Sequence, residues 1–288
     1  MSELESDLEA QPYLIRDIVA RVLAEDIGPG DATSRAVIPP ETRAVGKLLA
    51  KESGVVAGME VARECFRQLS SETEFTVIKH SGECFEVGEV LAIIQGPARA
   101  LLAAERTALN FLQRLCGIAT LTRKFVDAVA GTGVEIANTR KTDPGIRSLD
   151  HAAVRAGGGK NHRYALYDGI LIKDNHIRLV GSINEAVRAA RDNAHRLFKI
   201  EVETTNLDQV REALAAGADI IMLDNMSLEM MREAVQIIGD RALIEASGGI
   251  ELDEVAEIAA IGVDIISVGT LTHSAPSLDI SLELSPAQ

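Results

Sequence analysis

The feature that most constrains this chain is a rhythm in its second half. Apolar runs of strand length recur at Val134–Asn138, Gly169–Ile172, Phe198–Val202, Asp219–Leu223, Ala242–Ala246 and Val263–Val268. Helical stretches separate them, among them Ser182–Ala194, Leu207–Ala216, Ser227–Ile238 and Leu252–Ala260. The runs are apolar on both faces rather than alternating, as expected for parallel strands covered on each side. An internal echo supports repetition: Ala216-Gly217-Ala218-Asp219-Ile220-Ile221 resembles Ile261-Gly262-Val263-Asp264-Ile265-Ile266, 45 positions on. Six β/α repeats predict a barrel with fewer than eight strands or an open doubly wound sheet, and periodicity leaves both open.

The first half reads differently. Residues 12–25 carry apolar side chains at helical spacing, ended by Gly28-Pro29-Gly30. Short β-type stretches follow at Arg43–Ala50, Gly54–Ala57, Glu74–Lys79 and Glu89–Gln95, with a helical segment, Met59–Leu69, among them. This mixture predicts an α+β sandwich. From Pro97 to Val129 apolar residues return every three or four positions, which predicts one long helix or a pair broken near Gly117. The expected organisation is an N-terminal domain over 1–115, a barrel domain over 116–273, and a segment 274–288 packed back on the first.

Composition narrows the class of function. With 288 residues and 47% hydrophobic content, the chain can bury full cores. Its formal charge of −14 argues against a general nucleic-acid binder, which needs cationic phosphate contacts. Cys65, Cys84 and Cys116 are far apart with no CxxC, so neither a zinc site nor a disulfide framework is suggested. The acidic start, MSELESDLEAQ, is unlike a signal or transit peptide. No apolar run approaches the roughly 18 residues of a membrane helix. The expectation is a soluble cytoplasmic protein with no nucleic-acid or membrane partner.

In either candidate architecture, ligands bind at the C-terminal ends of the strands. All six runs end in charged or glycine-rich elements: Thr139-Arg140-Lys141, Lys173-Asp174-Asn175-His176, Glu203, Asp224-Asn225, Ser247-Gly248-Gly249 and Gly269-Thr270. Residues 138–178 hold eight Lys/Arg against four Asp, a local inversion of field in an otherwise acidic chain. Arg140, Lys141 and Lys173 sit at strand ends rather than at helical spacing, which points to a ligand bearing several negative charges. Gly157-Gly158-Gly159 before Lys160-Asn161-His162-Arg163 suits either close ligand approach or a flexible loop. Ser247-Gly248-Gly249 and Gly269-Thr270 match the late-loop phosphate site of β/α barrels. Glu203 and Asp224, ending adjacent strands, suit Mg²⁺ or ribose hydroxyls, or else ion pairs with Lys173 or Arg140. Lys173 alone would also serve as a Schiff-base nucleophile.

These residues carry a resemblance. Asn138-Thr139-Arg140-Lys141-Thr142-Asp143-Pro144-Gly145-Ile146-Arg147, Gly157-Gly158-Gly159-Lys160-Asn161-His162-Arg163 and Leu171-Ile172-Lys173-Asp174-Asn175-His176 closely resemble the quinolinate phosphoribosyltransferase family. Gly30-Asp31-Ala32-Thr33-Ser34, Glu105-Arg106-Thr107-Ala108-Leu109-Asn110, Glu201-Val202-Glu203, Leu223-Asp224-Asn225 and Glu245-Ala246-Ser247-Gly248-Gly249-Ile250 extend it over nearly the whole chain.

The resemblance implies an incomplete, TIM-like α/β barrel of six to seven strands with an N-terminal α+β open sandwich. It implies transfer of phosphoribosyl from phosphoribosyl pyrophosphate to quinolinate with decarboxylation, using Mg²⁺ and no organic cofactor; a relative acting on another heterocyclic acid is the nearest alternative. By motif, Arg106, Thr139, Arg140, His162, Arg163 and Lys173 would hold quinolinate. Lys141, Glu203 and Asp224 would face the activated sugar, the two acids also facing the metal. Ser247, Gly248, Gly249, Gly269 and Thr270 would cradle the 5-phosphate. The resemblance also implies a homodimer in which Arg106 completes the partner's site, with hexamers an open further step.

Overall fold

The computed structural model describes residues 12–287, so the acidic segment over residues 1–11 lies outside the described residues. The chain divides into two compact units. One comprises the N-terminal residues through Arg123 together with Thr142–Gly158 and the C-terminal segment from Ser274; the other comprises Lys124–Lys141 and Gly159–His273.

The first unit is built on an antiparallel sheet. Its strands are β1 (Arg43–Ala50), β3 (Glu74–Val77), β5 (Val90–Pro97) and the C-terminal β12 (Ile280–Pro286), in the order β12-β1-β5-β3; the short β2 (Gly54–Val55) and β4 (Cys84–Phe85) pair separately. β12 runs along β1 from Ala44 opposite Pro286 to Ala50 opposite Ile280. The helix Met59–Leu69 buries Met59, Ala62, Cys65 and Phe66, one stripe at helical spacing. Pro12–Ile27 is helical, as its periodicity predicts.

A single helix, Ala98–Ala128, replaces the alternative of a pair broken at Gly117. Gly117 has a packing reason instead. A Cβ there would overlap the Pro276 carbonyl oxygen and stand 3.3 Å from Ser277 Cα, so the bare backbone admits the returning C-terminal segment. The expected boundary at 115/116 falls inside this helix. Thr142–Gly158 groups with the first unit because Arg114 on the helix pairs with Asp143 at 3.1 Å and with fully buried Asp150 at 3.2 Å.

The second unit carries the six parallel strands: β6 (Glu135–Ala137), β7 (Ile170–Ile172), β8 (Ile200–Thr204), β9 (Ile220–Asp224), β10 (Leu243–Ser247) and β11 (Ile265–Ser267). Their order, β6-β11-β10-β9-β8-β7, leaves β6 and β7 as the two edges of an incomplete barrel. A seventh, one-residue rung completes β6: Lys160 bridges Ala137 in parallel, with its N–H donating to Ile136 O at 2.8 Å. Helix starts follow the sequence signals. Ser182, Asn206 and Ser227 each cap a helix by accepting the N–H three residues on. Among the described residues, no helix is long and apolar enough to cross a membrane.

Candidate active site

A cavity of about 530 Å³ opens among the C-terminal ends of the six barrel strands. Strand alternation decides what points into it. Glu201 and Glu203 share one face of β8, Met222 and Asp224 one face of β9, and Glu245 and Ser247 one face of β10. Asp224 and Ser247 end their strands at the mouth and Glu203 lies one residue short of the end of β8; Glu201 and Glu245 lie deeper on the same faces.

The mouth is cationic. Arg140 and Arg163 both line it, and each keeps a buried Nε with no hydrogen-bond partner. Burial, then the like charge of Arg140, push the Arg163 guanidinium below its ordinary pKa, against the pull of Glu201 and Asp168. Arg163 is held from outside, its Nη1 donating to Gly169 O at 3.0 Å. Of the eight cations in the basic window, Arg140, Lys141, Arg163 and Lys173 line the cavity. Lys160 instead reaches Glu135 at 3.9 Å and Arg178 reaches Asp174 at 3.6 Å. Gly157-Gly158-Gly159 does not line it either: Gly157 N–H and Gly158 N–H bond back to Ala153 O and Arg155 O, terminating the helix Arg147–Ala156.

The segment bearing His162 and Arg163 fills the seam next to β6. Fully buried Asn138 fixes it, donating to Asn161 Oδ1 at 2.7 Å and accepting the His162 N–H at 2.9 Å. The His162 ring lines the cavity with both nitrogens engaged: Nδ1 accepts the Arg163 N–H at 2.7 Å, and Nε2 lies 3.1 Å from Glu201 Oε2 and 3.7 Å from Glu245 Oε1. Burial disfavours its charge, but the Glu201 hydrogen bond and the Glu245 and Glu201 charges outweigh that and raise the imidazole pKa. With Nδ1 as acceptor, His162 therefore holds the Arg163 backbone and presents Nε2 to the acids beneath. His162 thus lines the cavity as expected of a quinolinate residue, while its ring nitrogens face Arg163 and the two acids.

Lys173, at the end of β7, donates to Glu203, so its ammonium is ion-paired rather than a free amine in an apolar pocket. That disfavours the Schiff-base alternative. His176 Nδ1 anchors Lys173 by accepting its N–H at 2.9 Å. Asp224 accepts from Asn225 Nδ2 at 2.7 Å rather than pairing with Arg140. Asn225 in turn sits against Gly248, whose φ of +97° and a Cβ only 2.7 Å from Asn225 N exclude any side chain. Thr139, Lys141, Ser247 and Gly249 also line the cavity. Thr139 Oγ1 accepts the Lys141 N–H at 3.1 Å, and Thr272 Oγ1 donates to Lys141 O at 2.8 Å.

Three expected residues are not among those lining the cavity. Gly269 and Thr270 stand just behind it at the start of the helix Thr270–His273, and Arg106 is exposed on the long helix of the first unit. The sequence reading missed Glu201, Glu245 and Ser267 as a buried polar group. Ser267 Oγ donates to Glu245, and burial and then the Glu201 charge push Glu245 up to about 7, against His162 and Ser267. The available signal was an acid inside an apolar strand, twice.

Two family models match the chain: the N-terminal domain of quinolinate phosphoribosyl transferase over residues 31–116 and its C-terminal domain over 118–283. The probable nicotinate-nucleotide pyrophosphorylase (carboxylating) of Bacillus subtilis (strain 168) is 44% identical over 271 residues, covering 94% of this chain and 93% of that protein. The nicotinate-nucleotide pyrophosphorylase (carboxylating) of Mycobacterium leprae (strain TN) is 43% identical over 93% of this chain and 96% of its own. The crystal structure of NadC from Streptococcus pyogenes superposes with a TM-score of 0.93 at 40% identity, over 96% of this chain and 99% of that one.

Proposed function

Since the chain belongs to the quinolinate phosphoribosyltransferase family, we propose a division of labour among the residues of its barrel mouth. The chain transfers phosphoribosyl from phosphoribosyl pyrophosphate to quinolinate, releasing pyrophosphate and CO₂ and forming nicotinate mononucleotide. The observation that carries the residue assignment is the pair Arg140 and Arg163. Two guanidiniums lie in one cavity, each with a buried, unpartnered Nε. Like charges so placed are costly until an anion with two carboxylates satisfies them.

Thr139 and Lys173 flank the same carboxylates, Lys173 sharing its charge with Glu203. Lys141, at the exposed rim, faces the pyrophosphate. Ser247, Gly248 and Gly249 take the 5-phosphate, a role suited to successive glycines at φ +97° and +62°; Gly269 and Thr270 support them from behind. Glu203 and Asp224 face the ribose, where their charge stabilises the cationic sugar as pyrophosphate leaves. Their hard oxygens also fit Mg²⁺: each carboxylate has one oxygen tied to the protein, leaving the other for a hydrated ion or its phosphate ligands. Bound Mg²⁺ would supply neutralisation of the leaving pyrophosphate. The residues themselves orient the ring nitrogen and the sugar and exclude water, which is where most of the acceleration of a ribosyl transfer can arise. No organic cofactor enters this scheme, because the ribosylated ring nitrogen accepts the electrons released by decarboxylation.

On the same reading the working unit is a homodimer, each mouth completed by Arg106 of the partner subunit; the exposure of Arg106 on the long helix supports this. A cytoplasmic location suits three free cysteines. The test is a spectrophotometric assay with quinolinate, phosphoribosyl pyrophosphate and Mg²⁺, with nicotinate as competitor. Product should form from quinolinate and be little affected by nicotinate. Preference for nicotinate would overturn the dicarboxylate assignment.

A further inference from the structure

The barrel has a second opening. A cavity of about 350 Å³ lies at its other end, lined by the strand starts Glu135, Ile170, Ile220 and Ile265. His162, Arg163 and Glu245 line this cavity and the upper one alike, so they form the partition between two mouths. Within the partition, Glu245 is 1% exposed. It takes the Ser267 hydroxyl from β11, faces Glu201 from β8, and has His162 Nε2 at 3.7 Å from the seam segment that also carries Arg163. Nothing in the binding of either substrate uses it.

The reaction leaves one need unmet. When the carboxylate beside the ring nitrogen departs as CO₂, its bonding electron pair stays on the ring carbon, and that carbon must take a proton. With both substrates bound, the upper mouth is filled and bulk water is displaced from it. The Arg140 and Arg163 guanidiniums are engaged by the substrate carboxylates, and Lys173 is ion-paired to Glu203. A buried carboxyl bordering the upper cavity from below is in the right place.

We propose that Glu245 is the general acid of the decarboxylation half of the reaction. The ring carbon–carboxylate bond breaks, CO₂ leaves, and the electron pair takes the proton from the Glu245 carboxyl. The Glu245 carboxylate then takes a proton from water entering through the lower cavity, and the hydroxide left behind returns to solvent by the same opening. Glu201 stays an acceptor for His162 throughout, and His162 stands beside the charge that forms on Glu245. The elevated pKa of Glu245, set by burial and Glu201, keeps part of it protonated at neutral pH. Its donating form is lost as pH rises through about 7, so this step slows on the alkaline side.

The inference rests on the residue assignment above, and single-turnover quenched flow separates the two. Wild-type enzyme should release pyrophosphate and then form nicotinate mononucleotide; a wild type that releases no pyrophosphate from quinolinate sinks the parent assignment. Glu245→Gln keeps the shape and a partner for Ser267 but cannot donate the proton. It should release one equivalent of pyrophosphate at near wild-type rate and form product about 100-fold more slowly, the order a general acid contributes. Product at the wild-type rate, or equal slowing of both events, overturns the proposal. If Glu245→Gln does not fold, the wild type decides: an alkaline decline confined to the product step supports the proposal, and parallel pH profiles for both events overturn it.

Discussion

Replacing Arg140 with alanine separates binding chemistry from fold. In the free protein the Arg140 guanidinium has a buried Nε without a partner and shares its cavity with Arg163, whose charge it destabilises. Its removal should therefore leave stability unchanged or slightly higher, since it ends a repulsion and breaks no ion pair found among the described residues. In the transition state the balance reverses. A hydrogen bond from a charged donor contributes about 1.5–3 kcal/mol, and a guanidinium meets a carboxylate with up to two. Losing about 3 kcal/mol of transition-state stabilisation lowers kcat/KM by at least about 100-fold. The assay is nicotinate mononucleotide formation over a range of quinolinate concentrations, paired with thermal denaturation of both proteins. Near-normal steady-state kinetics in Arg140→Ala would refute the assignment. So would an inactive variant whose melting temperature has collapsed, because the residue would then be structural.

Gly117→Ala tests the long helix. Alanine gains about 1 kcal/mol of helix propensity, but its methyl would overlap the Pro276 carbonyl, and overpacking against backbone costs about 1–3 kcal/mol or more. Urea denaturation should show a net loss of about 1–2 kcal/mol; a gain would mean that the C-terminal segment does not pack there. For the cysteines, burial pushes both the Cys65 and Cys116 thiols up to about 12, whereas Cys84 is exposed. A thiol-reactive chromophore should modify one cysteine in the native protein and three in denaturant, and rapid native labelling of more than one would contradict the packing.

Much of this was legible in the residues alone. Where apolar periodicity is strong, element and position agree: Met59–Leu69 and Arg43–Ala50 stand as read, and all six barrel strands lie within or beside their apolar runs. Short polar elements were not legible, because their stability comes from caps and neighbours rather than pattern. The helix Asp174–Val180, with its His176 bond back to Lys173, shows this. The choice between one long helix and a pair broken near Gly117 was not legible, since the role of Gly117 depends on a carbonyl 159 residues away in the chain.

The sequence by itself determined the alternation of β and α, the cationic strand ends and the glycines behind them, since each is a local property of side-chain type and spacing. Only the tertiary structure decided which cations converge. Four of eight face the cavity, because strand direction and alternation, not composition, set where a side chain points. It alone also turned His162 inward and brought Glu201 and Glu245, 44 residues apart, into one buried group. Desolvation and charge coupling arise only when the chain closes around such groups, and no stretch of sequence contains them.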